Sequence, residues 1–236
     1  MTAWLRMGLA DDIRALCDRV LADLNTAHDY YTDTKIAWDI VRRAIAAGQT
    51  FSVRNMTTGT ETTQAELAGR SRGYVAEQLT EATFQKFVTV FENFFFDLLR
   101  LWLVAHPRSL GGKKVEFHRI LDAPDIGAVT LHVVNHELNE VLYDRPKAWF
   151  EYLEDKVKLG CPSEAEIEQI TEAKASRDVL VHNRGIANKT YLSKSGNLAR
   201  YGEGQQIDIP EHYHRQTWEL LRKVISDISD AAIAKA

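Results

Sequence analysis

The sequence predicts an all-α fold, a helical bundle, and three observations carry that expectation. Ala, Leu, Glu, Lys and Arg recur at helical spacing. Proline is scarce, at 5 of 236 residues. From Tyr74 to Val104, Phe84, Phe87, Val88, Phe91, Phe95, Leu98, Leu99, Trp102 and Leu103 form a wide apolar stripe suited to the centre of a bundle.

The other elements follow from the same periodicity and from terminators. Asp11 to Leu24 reads as a first helix, with Ile13, Leu16, Val20, Leu21 and Leu24 on one side, and a second runs from about His28 to Ala47, stopping at Gly48. Residues 53–73 are polar and rich in Thr and Gly, with Arg70 and Arg72 at the far end. They read as an exposed connection and a soft boundary between an N-terminal helical extension with its linker, 1–73, and a helical domain, 74–236. Pro107 and the Gly111–Gly112 pair end the long helix, and a short one is expected around Val115 to Leu121. Another runs from Pro124 to about Tyr143. Pro146 opens the next, with Trp149, Phe150, Leu153, Val157 and Leu159 on its apolar side and Gly160 as its left-handed terminator. Ser163 followed by Glu166 is a capping box, and the helix it starts should end near Asn183 to Gly185. Residues 186–209 read as a loop with a short hairpin, and a last helix begins at Pro210 with Trp218, Leu221, Val224, Ile225 and Ile228 on one face.

Composition narrows the class. With 45% hydrophobic and 26% charged residues the chain is an ordinary globular one, long enough to bury a core. Cys17 and Cys161 stand far apart, without metal spacing or the density of a disulfide framework, which favours a reducing compartment. The stretch from Met1 to Leu24 holds four aspartates and no basic leader, and the most apolar run, Phe94 to Ala105, is interrupted by Asp97 and Arg100. A soluble, cytoplasmic protein with no membrane partner is the expectation. A net charge of −4 excludes wholesale coating of nucleic acid and leaves only a local basic patch for any contact with RNA.

The chemistry gathers in Ala173-Lys-Ala-Ser-Arg177-Asp178-Val-Leu-Val-His182-Asn183-Arg184-Gly185. Histidine, with an ordinary pKa near 6.5, suits a general base or acid at neutral pH. Arginine's planar fork grips phosphate oxygens with two parallel hydrogen bonds. On one helix, residues 177 and 182 lie ~140° apart in angle and ~7.5 Å along the axis, so a single copy does not present both groups from one face. A symmetric dimer joining two such helix ends does, and a homodimer is therefore expected. Asp178, four residues before His182, is placed to accept a hydrogen bond from its imidazole and orient it. The last helical turn also favours a cationic His182.

This stretch resembles the signature of the HEPN superfamily: Arg, a polar Asn, Asp or His, a few further residues, then His. Arg177, Asp178 and His182 fit it. Trp149-Phe-Glu-Tyr-Leu before the motif, Asn183-Arg-Gly185-Ile after it, and the Phe87-Val-Thr-Val-Phe-Glu92 helix are also similar to that family, Glu92 standing where relatives carry a supporting acid. The resemblance covers roughly Tyr74 to the C-terminus. It implies a HEPN-like bundle, a side-by-side homodimer, and endoribonuclease activity without metal or other cofactor, giving 2′,3′-cyclic phosphate and 5′-OH ends. The implied roles are His182 as base or acid, Arg177 as transition-state stabiliser, Asp178 as orienting group, and Asn183 in contact with backbone or substrate. A toxin or anti-phage role, with an antitoxin or another protein as partner, follows by family analogy only.

Other readings of the residues stay open. A non-catalytic helical interaction module would leave Arg177 and Asp178 in surface ion pairs. His132, His136 and Glu140, at i, i+4 and i+8, share a helix face and are candidates for zinc, although no further ligand is marked and a half-buried polar stripe is the simpler reading. His212 and His214 are expected at the surface. Lys113, Lys114, His118 and Arg119 form one basic cluster. Lys189, Lys194 and Arg200, interleaved with Tyr191 and Tyr201, form another, which with Arg184 is the expected substrate contact, its aromatics stacking on bases while its cations hold phosphates.

Overall fold

The computed structural model describes residues 8–143 and 145–236. The fold is all-α, with two isolated bridges, Arg54 to Glu61 and Ile186 to Gln206, and no strand among the described residues. The first seven residues of the expected 1–73 segment lie outside the described residues.

Helix α1 spans Leu9–Ala46 without interruption, where two helices were expected. Nothing between Leu24 and His28 breaks a helix, and the buried stripe Ile13, Leu16, Val20, Leu24, Ala27 and Tyr31 keeps one seam through that point. The polar connection is partly ordered. Arg54 bridges Glu61, and Thr63 caps α2 (Gln64–Gly73) in a reciprocal capping box with Glu66. The chain then passes through a π-helical turn, Tyr74–Leu79, into α3, Thr80–Ala105. Pro107 opens a short 3₁₀ turn, Pro107–Leu110, and α4 (Phe117–Asp122) follows. Asp125, one residue beyond Pro124, caps α5 (Ile126–Leu142) through the Ala128 N–H. Pro146 starts α6 (Pro146–Val157), whose left-handed terminator is Lys158, two residues earlier than Gly160. The capping box at Ser163 and Glu166 starts α7, Glu164–His182. The expected loop at 186–209 contains a helix, α8 (Lys189–Ser195), capped by Asn188, and α9 (Glu211–Ile233) closes the chain.

α3 is the central helix. Phe87, Phe91, Phe94, Phe95, Leu98, Leu99 and Leu103 are buried in one core with the stripe of α1, with Val134 and Leu138 of α5, with Trp149, Phe150 and Leu153 of α6, and with Leu221, Val224, Ile225 and Ile228 of α9. Each such side chain contributes about 1.5–3 kcal/mol by leaving water. The N-terminal helix thus shares the core of the rest. A smaller cluster joins Phe84 and Val88 of α3 to Ala173, Ala175 and Val179 of α7, and to Ala187, Tyr191, Ile207 and Ile209. The alanines of α7 let it lie close to α3, and the 187–209 segment covers its other side. This packing positions the C-terminal half of α7.

Among the described residues no helix is long and apolar enough to cross a membrane.

Candidate functional site

α7 carries two separate polar clusters. On the side facing α3, Arg177 has its guanidinium on Glu92, a contact made by Nη2, while Nη1 lies 3.3 Å from Asp178. Lys174 lies 2.8 Å from the other Glu92 oxygen and 3.3 Å from Asp178, and its ammonium stands over the Trp149 ring. Lys194, on α8, reaches Asp178 at 3.1 Å. Arg177 and Lys174 are each 15% exposed, so the ions are screened only partly by solvent. Burial pushes the Asp178 carboxyl up, but Lys174, Arg177 and Lys194 outweigh it and hold it below the usual carboxylate range. Three cations thus face two carboxylates, and the cluster keeps one positive charge in excess.

Asp178 has a different partner set from the one expected. No hydrogen bond joins it to His182 among the described residues; its oxygens face Lys174, Arg177 and Lys194. Cations on the same side of α7 and on α8 outcompete an imidazole for a carboxylate. His182 is exposed at the end of α7, and its side chain makes no hydrogen bond among the described residues. Because α7 remains helical through His182, the ~7.5 Å axial offset and ~140° turn from Arg177 hold within one protomer.

The helix end is built to present that histidine. Asn183 closes the turn, its amide N–H donating to the carbonyl of Ile186. Arg184 is left-handed at φ 54°, and the Val179 carbonyl accepts from both the Asn183 N–H at 2.9 Å and the Gly185 N–H at 3.1 Å, which closes the helix end. The Ile207 N–H then donates to the Gly185 carbonyl at 2.7 Å, tying the tip to the segment that returns over it. Arg184 and Lys189 are exposed beside this tip, as are Val181 and Ile186.

On its other side α7 buries Glu172, 3% exposed. Its carboxylate accepts from Ser176 at 2.8 Å, from the Tyr191 hydroxyl at 3.1 Å, from Arg200 Nε at 3.2 Å and, closely, from the Tyr213 hydroxyl. The Arg200 guanidinium also donates to Ser176 and stacks 3.5 Å from the centre of the Tyr213 ring, and its backbone N–H donates to the Tyr191 hydroxyl. Burial, and then the Glu172 charge, push the Tyr191 and Tyr213 hydroxyls up, so both stay protonated as donors. Tyr191 is 1% exposed and therefore offers no ring to a base. It and Arg200 clamp the 186–209 segment to α7 instead of contacting substrate, because Glu172 captures both. Of the expected substrate residues, Arg184, Lys189 and Lys194 remain near the helix tip or the Arg177 cluster.

The histidine pairs depart from expectation in part. His212 is exposed, but His214 is fully buried, its Nε2 2.8 Å from the Thr83 hydroxyl. His132, His136 and Glu140 line a pocket of about 390 Å³ with Lys113, Lys114 and Arg119. There Lys113 takes Glu137 and, at 3.1 Å, Glu140, while His136 lies 3.8 Å from Glu140. Among the described residues no three His, Cys, Asp or Glu side chains gather as metal ligands. The two cysteines are unpaired.

The chain matches no family model, no characterised protein and no solved structure. The reading of the site therefore rests on its own geometry. Sequence spacing missed Lys174, although its position three residues before Arg177 and four before Asp178 puts all three on neighbouring strips of one helix. It also missed Glu172, whose partners come from 19, 28 and 41 residues downstream.

Proposed function

We propose that the chain is a metal-independent endoribonuclease of the HEPN type, active as a homodimer in which two α7 tips share one groove. The observation that carries this reading is the contrast along α7: Arg177 is half-buried and braced by Glu92, while His182 stands exposed and unengaged one and a half turns later. A surface ion pair needs no such bracing, and a capping histidine would spend its ring on the helix carbonyls. Bracing fixes a guanidinium where phosphorane charge develops, and a free imidazole can take the 2′-OH proton and return one to the 5′-oxygen. In-line attack by the 2′-oxygen forms the cyclic phosphate as the bond to the 5′-oxygen breaks. Asp178 shares the Arg177 cluster and takes no part in orienting His182, and Asn183 holds the helix end.

The test uses labelled single-stranded RNA in EDTA. Wild-type protein is expected to cleave it, leaving 2′,3′-cyclic phosphate ends, and His182→Ala and Arg177→Ala each to lose at least about 100-fold, the scale of a general base or a charge-stabilising donor. Mixing the two variants should restore part of the activity, since a mixed dimer holds one intact Arg177 and one intact His182 in its common groove. Equal background from all proteins would sink the enzyme and leave a helical interaction module. Cleavage abolished by EDTA would point to metal chemistry instead.

A further inference from the structure

A pocket of about 340 Å³ opens between the start of α6, the first half of α7 and the end of α8. Arg145, Lys147 and Lys194 bring three cations to its lining, and Glu164 and Glu168 two carboxylates, so positive charge is again in excess by one. Lys147 is 64% exposed and rests 3.4 Å from Glu164. The N-terminal turn of α6, which bears Arg145 and Lys147, has no side-chain cap and adds the positive end of a helix dipole.

Ser195 is the telling member. It lines the pocket at 5% exposure, and its Oγ is buried with no hydrogen-bond partner among the described residues. Buried hydroxyls are nearly always satisfied, and one left over beside a cationic pocket is a donor kept for something that enters. A hydroxyl, flexible ammonium groups and a guanidinium are the donor set that phosphate oxygens take. The pocket and the Arg177 cluster share one side chain, Lys194. It lines the pocket while its ammonium lies 3.1 Å from Asp178, which in turn lies 3.3 Å from Arg177.

We infer that this pocket is a second phosphate subsite, holding a backbone phosphate of the RNA strand that flanks the bond being cut. The source of the phosphate rests on the ribonuclease reading; the capacity to bind phosphate does not. Lys194 belongs to both places and sets the path of the strand between them.

Two measurements on the full chain test it. In the first, ¹H–¹⁵N spectra are followed as inorganic phosphate is added, with shifts expected at Ser195, Gly196 and Lys147 and absent from Ser195→Ala/Lys147→Gln. In the second, His182→Ala protein, which retains its substrate, binds a labelled single-stranded oligoribonucleotide across a salt series. Adding Arg145→Gln and Lys147→Gln, both at exposed positions, should lower the slope of log K against log salt by about 1.4, at about 0.7 per lost contact to a single strand. Phosphate shifts with an unchanged slope would assign the pocket to a free phosphate and overturn the strand path. No phosphate shifts would overturn the subsite, and an oligonucleotide that the parent fails to bind would overturn the strand path. A lowered slope in a wild-type chain that never cleaves RNA in EDTA would retire the nuclease instead and leave the subsite standing.

Discussion

Arg184 holds a backbone conformation that arginine avoids. At φ 54° it fills the left-handed position after α7 that glycine takes at no steric cost, and the strain is about 1–2 kcal/mol. Its side chain is exposed, so no buried contact offsets that strain. A residue retained against its own backbone preference beside His182 fits a cation that meets substrate. Arg184→Gly should therefore raise the melting temperature by a few degrees, at about 2–4 °C per kcal/mol for a chain of this size. It should also weaken binding of single-stranded RNA and lower the salt slope by about 0.7. A melting temperature that rises with RNA affinity intact would remove Arg184 from the substrate path. Residues differ in how far sequence reveals them. The motif singles out Arg177 and His182 and the family resemblance Glu92, and the structure sets Glu92 against Arg177 and leaves His182 exposed. Glu172 is not singled out, because nothing local sets it apart from Glu164, Glu166 and Glu168 on the same helix until Tyr191, Arg200 and Tyr213 fold back over it.

Elements bounded by local chemistry were legible, and those decided by distant packing were not. The start of α7 is written in Ser163 and Glu166, whose carboxyl is held down at about 2 by Lys223 and then by the Ser163 hydroxyl and N–H. Its end is written in Asn183 to Gly185. The expected break in α1 had no terminator behind it, only a lapse in strong apolar residues that Ala27 fills against the core. α8 is a short helix of about two turns whose sole local signal is Asn188, accepting from the Tyr191 N–H at 2.9 Å. It becomes a helix because Tyr191 anchors in the second core cluster. The junction of these elements is Gly185, at φ +76° with the Gln206 amide 2.2 Å from where a Cβ would stand. Gly185→Ala forces that amide away and introduces backbone strain that glycine does not have, for about 1–2 kcal/mol. Because the Gly185 N–H and carbonyl fix the tip of α7 to Val179 and Ile207, its cost to cleavage is expected to exceed its cost to stability. Measured side by side by RNA cleavage and urea unfolding, a variant with normal activity would show that the tip need not be rigid.

At the scale of the whole molecule, α1, α3 and α9 meet around His214, and acid should part them there. The ring lies among Tyr31 and His28 of α1 and Phe87 of α3, with Nε2 2.8 Å from the Thr83 hydroxyl. That hydroxyl donates to the Leu79 carbonyl at 2.8 Å, so it must accept from His214, and the neutral ring carries its proton on Nε2. Nδ1 is buried without a partner among the described residues. Protonating it would place an N–H and a charge where no acceptor waits, and burial, then neighbouring His28, pull the His214 pKa down to about 4 against the raising pull of Glu211. His28, stacked on Trp218, is likewise lowered by burial, with Arg222 adding to that and Asp29 and Glu219 opposing it. The folded pKa of His214 lies below the unfolded value of 6.5, so the fold prefers the neutral ring. Its contribution is complete above pH 6.5 and declines as pH falls from there toward 4, by up to about 3 kcal/mol. The Glu166 carboxyl, lowered from 4.5 to about 2, loses its share as pH falls from about 4.5 toward 2, so a titration that stops at pH 4.5 reads His214 before Glu166. Urea unfolding from pH 7 to 4.5 should therefore show stability falling by as much as about 1.4 kcal/mol per pH unit, while His214→Gln, less stable at pH 7 but able to donate to Thr83, gives a flatter profile. Parallel profiles for the two proteins would mean that acid enters the bundle elsewhere and that α1 and α9 are held to α3 without regard to this ring.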